Sequence, residues 1–270
     1  MEKDTDSLKA GVLPAPESGD LPPEARAELV ALARRRLRAE GPVIRALNAM
    51  GGDLERRVDG LPPSVRRLLA TGTAGLLEQV YRAAGRVGSL PALPETGEWG
   101  HRAAALVGGA VGGAGGLATA VVELPATVAL YLHAMQKVAA EYGFDPRDAE
   151  VRLDCIAIFG AGGPGSGDDG VNSGFLGSRL AVNGATLRAV AARAAPILAA
   201  VLGRKLAAQV VPVLGGAAGA GINLAYLAYY RDLAHVRFGL KRLAARHGAA
   251  AVAQAFDAEC ARLAAPAGRP

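Results

Sequence analysis

The spacing of apolar and polar positions divides the chain into unlike stretches. Residues 1–22 are rich in Pro, Gly and acidic side chains and show no period, which reads as a flexible, disordered tail. Over 24–40, Leu29, Leu32, Ala33 and Leu37 recur at three- and four-residue intervals. That spacing predicts an amphipathic helix, with Arg34, Arg35, Arg36 and Arg38 on its basic face. Pro42 and Pro62-Pro63 stand where a first helical turn accepts proline, predicting helices over about 42–59 and 63–87. Residues 89–100 carry two prolines and the sole Trp and read as a linker. The expected organisation is therefore a tail over 1–22, amino-terminal amphipathic helices over 23–94 and a compact helical domain over 95–265.

Periodicity gives way to continuous apolar sequence after the linker. Residues 103–122, AAALVGGAVGGAGGLATAVV, contain no charge and match the length that crosses a hydrocarbon core as a helix. Gly108, Gly112 and Gly116 fall four apart and line one helical face, which lets a second backbone approach closely. Interior glycines cost about 1 kcal/mol each relative to Ala, so a packing partner is implied. Glu123 and Pro125 then interrupt the run, marking a kink or the apex of a hairpin. A second uncharged stretch, 206–230, repeats the pattern with Gly215 and Gly219. It adds Pro212 and two polar groups, Gln209 and Asn223, suited to hydrogen bonds between close helices. The fold class expected is all-α, built around these two Gly/Ala-rich segments packed antiparallel.

Tyr226, Tyr229 and Tyr230 follow beside Arg231 like the edge of an interfacial belt. Residues 231–246, RDLAHVRFGLKRLAAR, form a basic amphipathic helix able to lie on a bilayer or to cover a core. Between the apolar stretches, Asp145 caps a helix over about 145–158 with Pro146 in its first turn. The loop 159–175, FGAGGPGSGDDGVNSGF, is too rich in glycine for regular structure, and a helix over about 175–193 breaks near Pro196.

Composition and charge narrow the functional classes. With 36 Gly and 58 Ala in 270 residues, and 4% aromatics, a large β-sandwich is disfavoured. From Arg179 onward 12 basic residues face Asp232, Asp257 and Glu259, a local balance of +9 within a net +5. No interleaved aromatics or nucleic-acid motif accompany them, so no nucleic acid is expected and an anionic lipid surface is the better partner. Cys155 and Cys260 are too far apart in sequence for a metal knuckle, and the amino terminus lacks a secretory signal; both point to an intracellular chain.

Gly165-Ser166-Gly167-Asp168 spells the GxGD of intramembrane aspartyl proteases, but polar sequence follows and no YD segment precedes it. No phosphate loop, nucleophile elbow or HExxH occurs, and no cofactor is expected. Asp232 and His235 lie three apart on one helical face, where a carboxylate and an imidazole orient each other. The residues suited to acid–base catalysis are thus Glu123, Asp168, Asp169 and His235. Those suited to a divalent metal are Asp168, Asp169, Asp232 and His235.

Several of these segments together resemble the EcsC family: ETGEWG at 95–100, a glycine run ending in VELP at 122–125 and the loop FGAGG…GSGDDGVNSGF. AAQVVPVLGGAAGAGIN at 207–223 and YYRDLAHVRFGLKRL at 229–243 complete the likeness, which extends over about 99–248. The matching polar positions are Glu123, Asp168, Asp169, Ser173, Arg179, Gln209, Asn223, Asp232 and His235; the GPG around Pro164 departs from the pattern. The resemblance implies a bacterial helical protein linked to an ABC transporter or a secretion system. Together with the residues it leads to a non-enzymatic module, cytoplasmic and peripheral to or embedded in the inner membrane, self-associating through its glycine faces. The alternative is a hydrolase-like enzyme with a carboxylate/His site in a central cleft.

Overall fold

The computed structural model describes residues 21–49, 63–64, 100, 102–103, 105, 116–159 and 215–265, and of residues 47–49, 116–125, 159 and 215–219 the backbone alone. Among the described residues the chain is all-α, with six helices and no strand. These are α1 (Pro23–Ala39), α2 (Pro42–Ala49), α3 (Gly116–Glu141), α4 (Ala149–Phe159), α5 (Gly215–His247) and α6 (Ala249–Ala264). The tail over 1–20, the linker over 89–99, the loop beyond Phe159 and the helix over 175–193 lie outside the described residues.

Helix α5 is the axis of the bundle and packs against each of the other five. Its uncharged stretch and its basic stretch form one uninterrupted 33-residue helix. Helix α1 runs antiparallel to it: Arg35 meets Asp232, Leu32 lies over Gly239 and Glu28 meets Arg242. Helix α3 runs in the same sense as α5, with Tyr131 beside Asn223 and Tyr142 beside His235. The antiparallel pairing expected of the two Gly-rich stretches concerns residues most of which lie outside the described ones; over α3 and α5 the sense is parallel.

Terminal signals explain the boundaries. Pro23 and Pro42 occupy opening positions of α1 and α2, where no intrahelical N–H is lost. Helix α3 ends in a Schellman turn: Phe144 N–H donates to Ala139 O at 3.1 Å and Gly143 N–H to Ala140 O at 2.9 Å. Gly143 takes φ 84°, a left-handed conformation that a Cβ would penalise. Gly248, at φ 87°, separates α5 from α6 in the same way. The helix expected from Asp145 starts later, at Ala149. The Asp145 carboxylate closes a local turn by accepting from Arg147 N–H at 2.8 Å, and so does not cap the helix.

Of the two readings of Glu123–Pro125, a kink or a hairpin apex, the hairpin is excluded, because α3 continues from Gly116 through both residues to Glu141. Proline removes one backbone donor, and the turns on either side carry the helix past it.

One apolar cluster joins α1, α5 and α6: Leu29, Leu32 and Ala33 meet Val236, Leu240 and Leu243, closed by Val252, Phe256 and Cys260. Helix α6, which the sequence reading did not single out, places Val252, Phe256 and Cys260 one turn apart on a single buried stripe. Helices α3 and α4 cover the opposite side of α5, burying Met135, Val138, Cys155, Ile156 and Phe238.

Candidate functional site

Helix α4 is buried nearly all round, so its one mid-helix acid, Asp154, is carried inside with no exposed surface. A carboxylate so placed needs cations and hydrogen bonds to offset its lost hydration. Helix α5 supplies both from positions one turn apart. Arg237, 3% exposed, donates from Nε and Nη2 to Asp154 Oδ1 at 3.1 and 2.6 Å. Lys241 donates from Nζ to Asp154 Oδ2 and to Glu150 Oε1, both at 2.8 Å. The Lys241 ammonium also lies 5.4 Å from the centre of the Phe144 ring, which the Schellman turn swings beneath it. Burial pulls the Lys241 pKa down, but the hydrogen bonds and charges of Asp154 and Glu150 more than reverse this, leaving it raised.

A second polar seam follows α5 where α1 and the end of α3 meet it. Arg35 donates to Asp232 at 3.1 Å, and Arg242 to Glu28 at 2.7 Å. The Arg242 guanidinium stacks 4.8 Å from the Tyr142 ring centre. His235 meets Glu141 at 4.0 Å and the edge of Tyr142 at 5.8 Å. Asp232 and His235 therefore share a face of α5 but turn to different partners, one to α1 and the other to α3. Burial raises the Asp232 pKa, an effect that Arg35 and Arg231 oppose without cancelling. Among the described residues no three His, Cys, Asp or Glu side chains stand close enough to hold a metal ion.

Towards the start of α5, Asn223 is buried and bridges segments: its Nδ2 donates to Ala105 O at 3.2 Å, and Tyr131 Oη donates to its Oδ1 at 3.3 Å. The tyrosines expected at an interfacial belt are inside the protein, with Tyr226, Tyr229 and Tyr230 all at most 2% exposed. They pack around one another and Tyr131, with ring centres 5.3–6.4 Å apart. Packing of α1 and α3 on α5 puts them there. Burial pushes the Tyr229 phenol up to about 12, against the pull of Arg36.

A family model, that of the EcsC protein family, matches residues 87–243, more than half of the chain. The chain belongs to the EcsC family. No curated protein and no solved structure matches it. In this EcsC chain the Asp154–Arg237–Lys241 network lies wholly inside the family match, whereas α1, with Glu28 and Arg35, and all of α6 lie outside it.

Of the residues singled out from sequence, Gly108, Gly112, Asp168, Asp169, Ser173, Arg179, Gln209 and Pro212 lie outside the described residues. Glu123 lies within α3, and Gly116, Gly215 and Gly219 lie in the opening turns of α3 and α5, described by backbone alone. Sequence reasoning missed Asp154 and Gly239. Asp154 was legible as a lone acid in the apolar run VRLDCIAIF. Gly239 is where α5 admits α1: a Cβ there would stand 2.7 Å from Leu32 Cδ2. Gly221, in the Gly-rich stretch, faces open space instead.

The basic face expected of 231–246 is largely consumed in ion pairs, because Arg237, Lys241 and Arg242 turn toward Asp154, Glu150 and Glu28. Exposed cations gather elsewhere. Arg26, Arg34 and Arg38 project from α1, and Arg45 from α2, while Arg36 is buried.

Proposed function

We propose that this EcsC-family chain is a non-enzymatic helical module that attaches peripherally to the cytoplasmic face of an anionic membrane. The observation that carries the reading is the elbow between α1 and α2. There Pro42, Val43 and Ala46 are exposed beside Arg38 and Arg45. Val43, 39% exposed, is the large hydrophobic side chain that the described residues leave at the surface. Apolar tips flanked by arginines suit a lipid interface, where the side chains enter the headgroup boundary and the guanidinium groups meet phosphate. No helix among the described residues is long and apolar enough to cross a membrane. The link to an ABC transporter or a secretion system is a further proposal that rests on family membership.

Sedimentation of the full chain with phosphatidylcholine vesicles, with and without phosphatidylglycerol, tests the reading. Binding that requires phosphatidylglycerol, is released by salt and weakens in Val43→Glu is expected. A protein that ignores both vesicle types refutes membrane attachment, and retention through alkaline carbonate would show an embedded protein instead.

A further inference from the structure

Asp232 stands among arginines on the part of α5 that α1 covers just before the elbow. Arg35 on α1 donates to its Oδ1 at 3.1 Å, while Arg38, one turn further along α1, and Arg231, its neighbour on α5, also act on its charge. Arg35 lies four residues before the end of α1 at Ala39, about 6 Å along the helix axis. It therefore borders the exposed surface of Arg38, Pro42, Val43 and Arg45. The Asp232 carboxylate is thus an anion already seated on a guanidinium at the edge of that surface. The pair differs from the one inside the bundle. Arg237 and Asp154 expose 3% and 1% of their side chains, whereas Arg35 and Asp232 expose 37% and 31%. A partly exposed pair with a single contact contributes about 0–1 kcal/mol, so parting it costs little. Burial raises the Asp232 carboxyl pKa despite the three arginines, so the carboxyl takes up a proton more readily when Arg35 leaves. The other ion pair of α1, Glu28–Arg242, is seven residues from Arg35, and with the apolar cluster it keeps α1 docked when Arg35 moves.

We propose that Arg35 is a membrane-contact residue restrained by Asp232, and that the phosphate of an anionic phospholipid at the bilayer surface replaces the Asp232 carboxylate on its guanidinium. The inference rests on the membrane reading and deepens it, since it adds a contact residue to the elbow and an internal anion that competes with the lipid. A guanidinium suits the exchange because its forked donors match carboxylate and phosphate oxygens alike and it is weakly hydrated between the two. Asp232 then acts as a brake on attachment. Removing its charge should strengthen membrane binding, the opposite of what the loss of a merely structural ion pair would do.

Partition of the full chain onto phosphatidylcholine/phosphatidylglycerol vesicles is measured for the wild type, Asp232→Asn, Arg35→Ala and Arg35→Ala/Asp232→Asn. A charge-matched control, Asp148→Asn, removes an exposed acid just before α4, on the opposite side of α5 from α1. Far-UV circular dichroism verifies that each variant is folded. At about fivefold per cation brought to an anionic surface, Asp232→Asn should bind about fivefold more tightly than wild type. The control, separated from the elbow by more than a screening length, should stay within about twofold of wild type. Most of the Asp232→Asn gain should vanish when Arg35 is Ala. Wild-type binding with an Asp232→Asn variant that binds no tighter overturns the exchange while leaving peripheral attachment standing. An equal gain in Asp148→Asn reduces the effect to net charge, and an equal gain without Arg35 removes the guanidinium from it; either overturns the exchange. Competition by inorganic phosphate at constant ionic strength would reveal a soluble anion in place of the lipid and overturn the assignment. Absence of binding by every variant overturns both readings.

Discussion

Removing the Asp154 carboxylate isolates the energetics of the bundle's interior. In Asp154→Ala the Arg237 guanidinium, 3% exposed and bonded to that carboxylate at 2.6 and 3.1 Å, loses the buried carboxylate that offsets its charge. Breaking such a pair from one side costs about 3–5 kcal/mol, because the surviving ion keeps its desolvation penalty. Lys241 retains Glu150 at 2.8 Å and shifts toward solvent, so its share of the loss is the smaller one. In a chain of this size the change corresponds to a fall in melting temperature of roughly 10 °C. The double variant Asp154→Leu/Arg237→Met removes both charges while keeping volume, and should return to within about 1–2 kcal/mol of wild type. Urea unfolding of wild type, Asp154→Leu, Arg237→Met and the double variant, followed by far-UV circular dichroism at neutral pH, supplies the four corners of the cycle. Equal costs for the single and double variants, or a single-variant cost below about 1 kcal/mol, would refute a buried and coupled pair.

Further outcomes follow from individual contacts. Gly239→Ala gains up to about 1 kcal/mol of helix propensity but drives a methyl within 2.7 Å of Leu32 Cδ2. With overpacking at about 1–3 kcal/mol, the variant should unfold at lower urea, and Leu32→Ala in the same chain should cost less than the sum of the two changes. Asp232→Asn should change stability by less than about 1 kcal/mol, since burial raises that carboxyl despite its 3.1 Å contact with Arg35; a loss comparable to Asp154→Ala would contradict this. The Lys241 pKa is raised on folding, so its stabilisation is complete below the usual 10.5 and is lost as pH rises through the higher folded value. An alkaline unfolding step should therefore appear above pH 10.5 and shrink in Lys241→Met. Burial raises both thiols, Cys260 to about 11 and Cys155 further still, so neither should react with a thiol reagent at neutral pH until the chain unfolds.

Much of the helical layout was legible because its signals are local. The Leu29, Leu32 and Ala33 spacing and the openings at Pro23 and Pro42 depend on the helical period and on the missing proline donor, which need no partner to act. The left-handed glycines that end α3 and α5, Gly143 and Gly248, act just as locally, although the sequence reading did not use them. Pro125 left a kink and a hairpin apex open, because proline biases a backbone locally while the turns around it decide whether the helix survives, and here the helix continues.

The sequence by itself therefore determined helix identity, the positions of several ends, the family and the inventory of charges. Which charges face inward was decided by the tertiary structure. Arg237, Lys241 and Arg242 share a basic pattern with Arg34 and Arg38, yet the first three are tied to Asp154, Glu150 and Glu28 while the last two are exposed. Periodicity places a side chain on a face of its helix. What covers that face depends on how α1, α3 and α4 dock on α5, through contacts between residues 83 to 214 positions apart in the chain, which no local pattern encodes.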